Sequence, residues 1–209
     1  MFICFEGIDG CGKTTQIKLL EQYLSQLDVR YVLIREPGGT LAGEEIRSIL
    51  LHKELKLSSE TELMLFIAAR AQMVREIIRP ALDKGELVLA DRFMDSSVAY
   101  QGAGRMLGME IVERLNRFAV GETRPDITIY IDVPVLEAVS RMRKDRKNDK
   151  IEVESLEFFE RVRNGYMKLI EKEKNRYSIV DGTEPVEAVQ RKIRKIVAPF
   201  LPNDRLNRR

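Results

Sequence analysis

The feature that most constrains this chain is a glycine-rich segment near its start. Residues 7–14 read GIDGCGKT, match the pattern G-x-x-x-x-G-K-[ST], and follow the predicted strand Phe2–Phe5. In such a loop, backbone N–H groups converge on phosphate oxygens, the lysine reaches the terminal phosphates, and the next hydroxyl ligates Mg²⁺. The alternative is a glycine-rich turn without nucleotide, but the helix predicted from Thr15 to Leu27 favours a nucleotide site. The predicted contacts are Gly7, Ile8, Asp9, Gly10, Cys11, Gly12, Lys13, Thr14 and Thr15.

Beyond this loop, short apolar runs alternate with longer segments of helical periodicity. Further strands are predicted at Val29–Ile34, Leu87–Ala90, Ile127–Val133 and Tyr177–Val180. This alternation is typical of an α/β fold in which helices cover both faces of a parallel sheet. A length of 209 residues suits one domain, so we expect residues 1–209 to fold as a unit. Ligands of such sheets bind at the carboxyl ends of the strands, where the loop at residues 91–104 is expected.

One predicted helix carries an arginine among apolar residues. The capping-box sequence Ser59–Glu62 opens it, and it extends to about Ile78, where Pro80 ends or kinks it. Arg70 lies on or beside the apolar face, so its guanidinium needs either a protein carboxylate or a ligand as partner. Phe66, one turn earlier, is either part of the core or, together with Arg70, a clamp for a flat base.

A carboxylate ends the predicted strand at Leu87–Ala90. Asp91 follows this apolar run, and an acid at that position supports Mg²⁺ in nucleotide-binding folds. The alternative for Asp91 and Arg92 is a helix or turn cap. The segment at residues 7–14 favours the metal, and Thr14 and Asp91 are therefore the expected Mg²⁺ ligands.

Charge is nearly balanced over the whole chain but not along it. The chain has 35 basic and 33 acidic residues, a net charge of +2, which does not indicate a nucleic-acid-binding protein. Residues 141–150 alone contain six basic and two acidic residues. Such a run is usually solvated, and without aromatic neighbours it does not indicate single-stranded nucleic acid. Beside a phosphate-binding loop, a movable basic segment can close over a polyphosphate.

Composition excludes several other classes of protein. Hydrophobic residues make up 44% of the chain, and no apolar run approaches the ~18 residues that cross a bilayer. The start of the chain lacks the basic flank and cleavage site of a signal peptide. The two cysteines, Cys4 and Cys11, fit neither a disulfide framework nor a metal-binding spacing. We expect a cytoplasmic protein with small-molecule substrates and without membrane or nucleic-acid partners.

Together these motifs resemble the thymidylate kinase family over nearly the whole chain. The segments are FEGIDGCGKTT at the start, REPGGT at 35–40, LFIAAR at 65–70, DRFMDSSVAYQG at 91–102, RPD at 124–126, the basic stretch after Arg141, and DGTEP at 181–185. The resemblance implies a P-loop nucleoside monophosphate kinase fold with a five-stranded parallel sheet, a short mobile lid at about residues 141–153, and a homodimer. It implies phosphorylation of dTMP to dTDP with ATP and Mg²⁺. The alternative is another nucleotide or deoxynucleoside kinase of the P-loop class.

The resemblance also implies roles for individual residues. Phe66 would stack on thymine, Arg70 would hydrogen-bond its edge, and Tyr100 would lie under the sugar and disfavour a 2′-hydroxyl. Arg92 would bridge the transferring and accepting phosphates, with Asp9 near the acceptor. The other implied contacts are Ser97 at the base, Gln101 at the nucleotide, Glu36 and Pro37 at the deoxyribose, and Arg141 along adenine.

The family divides by the position of its catalytic arginine. One branch has a basic residue in the P-loop, where this chain has Gly10, and the other places arginine in the lid. Gly10 and the basic segment resemble the second, typically bacterial, branch. Asp145 interrupts the arginine spacing, so Arg143 and Arg146 are both candidates. We favour Arg146 because it lies further into the predicted lid.

Overall fold

The computed structural model describes residues 1–52, 55–145 and 155–201, and the side chains of residues 143–145 lie outside this description. Five strands form one sheet in the order β2-β3-β1-β4-β5, and every neighbouring pair is parallel. The strands are β1 (Phe2–Glu6), β2 (Tyr31–Arg35), β3 (Leu87–Asp91), β4 (Ile127–Asp132) and β5 (Tyr177–Asp181). The predicted five-stranded parallel sheet is therefore confirmed.

Helices connect the strands, as the alternating pattern predicts. They are α1 (Lys13–Gln26), α2 (Leu41–Leu51), α3 (Ser59–Met73), α4 (Arg79–Asp83), α5 (Met94–Ser97), α6 (Met109–Val120), α7 (Val135–Asp145), α8 (Leu156–Lys172) and α9 (Val186–Val197). Single π-helical stretches occupy Val74–Ile78 and Val98–Gly104. No helix within the described ranges is long and apolar enough to span a membrane.

Strand β1 is at the centre of the sheet and of the core. All of its residues, Phe2 to Glu6, are buried, because β3 and β4 flank it and helices cover both faces. Its register pairs Phe5 with Asp91 on one side and with Ile129 on the other. The carboxyl ends of β1 and β3 therefore lie side by side, and the loops that follow them meet at one edge of the sheet.

The helix predicted from the Ser59–Glu62 capping box begins one residue differently. Ser58 is the N-cap, since its Oγ accepts the N–H of Thr61 at 3.2 Å. The helical path also does not end before Pro80. It passes through the π-helical stretch Val74–Ile78 into α4, whose first turn contains Pro80.

The segment predicted as a loop at residues 91–104 is mostly helical. It forms α5 and the π-helical stretch 98–104, which packs along α8. The contact is close: a Cβ at Gly165 would lie 2.8 Å from the Cβ of Ala103. Tertiary packing of small residues therefore orders this segment beside the phosphate-binding loop. Local sequence periodicity does not indicate such packing.

Candidate active site

The glycine-rich loop joins β1 to α1, as the motif predicts. Helix α1 begins at Lys13, which is 7% exposed, and its Nζ donates to the carbonyl oxygens of Gly7 at 3.0 Å and Ile8 at 3.4 Å. Thr14 and Thr15 are exposed in the first turn of the helix. The positive end of the helix dipole and the Lys13 ammonium therefore lie at the same point, which suits a phosphate group.

Gly10 is required by its contact with helix α7. It has φ 78°, and a Cβ there would lie 2.3 Å from the carbonyl oxygen of Ala138 and 3.0 Å from Cγ of Met142. Real Cβ contacts of 2.3 Å do not occur, so any other side chain would displace the α7 backbone. A basic residue at this position of the loop would therefore require α7 to shift.

A cavity of about 570 Å³ opens above the loop. Its lining includes the predicted nucleotide-binding residues from Asp9 to Thr15 together with Arg141 and Asp91. Gly7 and Ile8 lie outside the lining, and their carbonyl oxygens accept from Lys13. The lining also includes residues that sequence reasoning did not assign, namely Gln16, Met142, Gly182, Glu184, Val186 and Val189.

Asp91 and Arg35 face this cavity from neighbouring strands. They are paired in the register of β2 and β3, and both line the cavity. Within the described part of the chain, neither side chain makes a hydrogen bond or an ion pair with protein. Arg35 was not among the predicted site residues, although it opens the REPGGT segment.

A second cavity of about 280 Å³ adjoins the first. Both cavities share Asp9, Glu36 and Arg92 in their linings. The smaller one contains every predicted substrate contact: Asp9, Glu36, Pro37, Phe66, Arg70, Arg92, Ser97, Tyr100 and Gln101. Phe66 is half-buried in its wall rather than part of the core, and Leu51 and Ser96 complete the lining.

The partner of Arg70 is a protein carboxylate, that of Glu36. Its Nε donates to Oε1 and Oε2 of Glu36 at 2.8 and 3.0 Å, and its Nη2 also contacts Glu36. Nη1 donates to Oγ of Ser97 at 3.0 Å and to Oδ1 of Asn116. Burial raises the pKa of Glu36, and Arg70 opposes that rise. Arg70 still lines the smaller cavity, so its contact with a base stays a prediction.

Arg92 lies at the junction of the two cavities. Its Nη2 donates to Oδ1 of Asp9 at 2.7 Å and to the Tyr100 hydroxyl at 3.0 Å, and that hydroxyl donates to Oδ2 of Asp9 at 3.0 Å. Arg92 has φ 73°, a left-handed conformation that is uncommon for a residue other than glycine. Partial burial would raise the pKa of Asp9, but Arg92 and Lys13 outweigh it and hold the pKa below its usual value.

Comparison with known proteins identifies the family of this chain. A model of the family described as thymidylate kinase matches residues 5–193. The chain belongs to the thymidylate kinase family. A thymidylate kinase from Kosmotoga olearia is 58% identical over 195 residues, covering 93% of this chain and 94% of that protein. One from Fervidobacterium nodosum is 51% identical, covering 96% and 100%.

A solved structure agrees with the sequence comparison. The crystal structure of thymidylate kinase from Ehrlichia chaffeensis is similar with a TM-score of 0.78 and 37% identity, covering 95% of this chain and 98% of that one. As a member of the thymidylate kinase family, the chain is an enzyme that phosphorylates dTMP to dTDP, with ATP as the phosphate donor. The activity predicted from the motifs is thus confirmed at the level of the family.

Glu6, which was not singled out from the sequence, is buried next to the site of this thymidylate kinase family member. It ends β1, is fully buried, and accepts hydrogen bonds from the 93–96 segment that follows Arg92. Burial and the nearby Asp95 raise the pKa of Glu6, and Arg92 opposes the rise. The available signal was a carboxylate closing the otherwise apolar run Phe2–Phe5, where burial without partners would be costly.

The predicted lid falls largely outside the described residues. Arg141 lies in α7, lines the larger cavity, and donates from Nη2 to Glu137 at 2.6 Å and to the carbonyl of Gly182 at 2.9 Å. The backbone of Arg143 belongs to α7, and its side chain lies outside the description. Arg146 lies outside the described residues altogether, so the choice between the two arginines stays open.

Proposed function

We propose that the larger cavity binds ATP, that the smaller one binds dTMP, and that phosphoryl transfer takes place between them at Asp9 and Arg92. The observation that carries this proposal is the sharing of Asp9, Glu36 and Arg92 by both linings. In-line transfer requires the donor and acceptor phosphates to meet end to end. A cationic side chain at the only stretch of lining common to both cavities described here is suited to bridge them.

The larger cavity is proposed as the donor site because of its phosphate-binding loop and the apolar residues in its lining. Backbone N–H groups of residues 10–14 and the Lys13 ammonium would bind the phosphates. Arg141, held by Glu137 and the carbonyl of Gly182, would lie along adenine. Val186 and Val189 contribute apolar side chains to the lining, which suits a base.

The smaller cavity is proposed as the acceptor site because its wall combines an aromatic face with polar groups. Phe66 would stack on thymine, while Arg70, Ser97 and Gln101 would address its edge. Glu36 and Pro37 would border the deoxyribose. Tyr100 would lie under the sugar, with its hydroxyl already bound to Asp9 and Arg92, and would leave no room for a 2′-hydroxyl.

The chemistry needs positive charge more than a base. The acceptor is itself a phosphate oxygen with a second pKa near ~6, so no strong general base is required. Catalysis then consists of aligning two phosphates and offsetting their repulsion. Lys13 and Arg92 supply positive charge from the described part of the chain, and Asp9 fixes the orientation of Arg92 at 2.7 Å.

Mg²⁺ is the proposed metal, and two residues of the larger cavity suit it. Thr14 and Asp91 both line that cavity and offer hard oxygen ligands, which Mg²⁺ prefers. Mg²⁺ commonly binds through one or two protein groups with phosphate oxygens and water, so these two ligands fit its usual demand. When bound, the ion would offset charge on the donor phosphates.

The catalytic arginine of the lid is proposed to be Arg146, with Arg143 as the alternative. The support comes from Gly10, because the contact with Ala138 leaves no space for a basic side chain at that position of the P-loop. The positive charge that a P-loop residue supplies in one branch of the family must then come from elsewhere. The basic segment at 141–150 is the proposed source, within a lid at about residues 141–153 of a single domain.

A homodimer and a cytoplasmic location complete the proposal. Helix α3 packs between α2 and α6, and these neighbouring helices expose apolar side chains: Leu41 is 92% exposed, Met64 54% and Phe118 89%. Exposed apolar groups on adjacent helices suit a subunit interface. Sedimentation of Phe118→Asp should show monomers, whereas Leu136→Asp, exposed on α7, should sediment as wild type.

The cytoplasmic location is supported by the cysteines, because two free, buried cysteines suit a reducing compartment.

The experiment that tests the proposed function is a nucleotide panel. Release of ADP from ATP and Mg²⁺ is measured with dTMP, dUMP, dGMP, dCMP, thymidine and the ribose counterpart of dTMP. We expect dTMP to give the highest kcat/KM and the ribose counterpart to be disfavoured. Equal turnover of the deoxy and ribose forms would refute the role of Tyr100, and turnover of thymidine alone would favour a nucleoside kinase.

A further inference from the structure

The Glu6 carboxylate is fully buried and contacts the segment that follows Arg92. Its Oε1 accepts the backbone N–H groups of Phe93 at 2.9 Å and Ser96 at 3.2 Å. Its Oε2 accepts the hydroxyls of Ser96 at 2.6 Å and Tyr166 at 2.7 Å. These neutral donors compensate the burial of its charge. Glu6 lies outside the linings of both cavities, so it does not touch substrate.

The same two hydroxyls contact Arg92 from the other side. Nη1 of Arg92 donates to Oγ of Ser96 at 3.0 Å and to Oη of Tyr166 at 3.3 Å. A hydroxyl has one proton to donate and lone pairs with which to accept. Because a carboxylate only accepts, each hydroxyl donates its hydrogen bond to Glu6. Both hydroxyl oxygens therefore keep lone pairs that accept from Arg92.

This arrangement holds the guanidinium at both of its terminal nitrogens. Nη2 is bound by Asp9 and Tyr100, and Nη1 is bound by the hydroxyls of Ser96, which lines the smaller cavity, and of the buried Tyr166. Glutamine at position 6 would present an N–H donor to the hydroxyls. The two hydroxyl oxygens lie 3.0 Å apart. A displaced hydroxyl proton would therefore turn to the neighbouring hydroxyl and occupy a lone pair that now accepts from Nη1 of Arg92.

We propose that Glu6 is a positioning residue for Arg92, acting through the hydroxyls of Ser96 and Tyr166. The proposal rests on the proposed role of Arg92 in phosphoryl transfer. A purely structural role for Glu6 would require only its bonds to the backbone N–H groups of Phe93 and Ser96. The two roles are separable, because the Oε1 of glutamine keeps the backbone bonds while its Nε2 disturbs the hydroxyls.

The test is a mutant cycle on kcat at saturating ATP and dTMP. Glu6→Gln is made in the wild type and in the Ser96→Ala, Tyr166→Phe background, with Arg92→Ala as reference. We expect Glu6→Gln to lower kcat by about tenfold in the wild type, as for loss of a charged hydrogen bond, and to cause no further loss without the hydroxyls. KM for ATP and the melting temperature should stay near wild type. Asp126→Asn, which loses a carboxylate bound to the backbone N–H of Phe2, should keep wild-type kcat.

Each other outcome has a definite meaning. An equal loss of kcat in both backgrounds, or a lower melting temperature with unchanged kcat, would overturn the proposal. If Glu6→Gln does not fold, Tyr166→Phe replaces it, and unchanged kcat in that folded variant would overturn the proposal as well. If Arg92→Ala itself retains full kcat, the proposed site of transfer is wrong instead.

Discussion

Glu36, directly after β2, and Arg70, in α3, form a buried ion pair in which Nε of Arg70 lies 2.8 Å from Oε1 of Glu36. Side-chain exposure is 1% for Arg70 and 3% for Glu36, so neither charge is solvated by water. The pair joins the sheet edge to the helix that carries Phe66. It therefore supports the wall of the smaller cavity as well as lining it.

Separating these two roles of Arg70 gives the first prediction. Arg70→Met should lower the free energy of unfolding by about 3–5 kcal/mol, because it leaves the Glu36 charge buried and unpaired. Adding Glu36→Gln should restore part of that stability while KM for dTMP stays raised, by roughly 10- to 150-fold. Arg79→Met, which removes contacts to Thr123 and Val120 away from both cavities, is the control. A wild-type KM for dTMP in the double variant would leave Arg70 with a structural role alone.

Lys13 should matter for turnover rather than for the acceptor. Its Nζ lies among the carbonyls of the loop, in the larger cavity and outside the lining of the smaller one. Lys13→Ala should remove most of kcat because charge on the donor phosphates is no longer offset. Calorimetry should find dTMP binding largely intact. Lost dTMP affinity with retained activity would count against the donor assignment.

The two lid arginines can be separated by kcat alone. An arginine that acts as charge develops lowers kcat more than it raises either KM, and arginine-finger effects are of order 10³ or more. We expect Arg146→Ala to show this loss at saturating substrates, and Arg143→Ala to show less. Lys144→Ala is the matched control. If neither arginine substitution lowers kcat tenfold, the branch assignment based on Gly10 is wrong.

A pH effect on stability follows from Glu173, at the end of α8. Partial burial would raise its pKa, but hydrogen bonds from Arg176 and Arg124 outweigh burial and hold the pKa below its usual value. Its stabilising contribution is thus complete above a pH of about 4.3 and is lost as acid protonates it. Glu173→Gln should cost about 1 kcal/mol at pH 7. The difference in melting temperature between Glu173→Gln and the wild type should disappear at acid pH, and a constant difference would contradict this. The control Glu122→Gln, at an exposed position, should melt as the wild type does at every pH.

Much of this molecule follows from local patterns in its sequence. The strands, the phosphate-binding loop and α1 were predictable because apolar periodicity and glycine spacing are local properties. The partner of Arg70 was not predictable, because Glu36 lies 34 residues away and either a carboxylate or a ligand would satisfy the guanidinium. The helical segment after Asp91 was missed because its order depends on Glu6 and on packing against Gly165. Such contacts between distant segments have no local signature.

The central claim is that phosphate passes from ATP to dTMP at Arg92, where the two cavities meet. Its most direct test is dTDP formation, resolved by chromatography, at saturating ATP, Mg²⁺ and dTMP. We expect the wild type to form dTDP and Arg92→Ala to lose about 10³-fold or more in kcat, while Arg79→Ala stays close to wild type. Arg92→Ala with the kcat of the wild type would contradict the account.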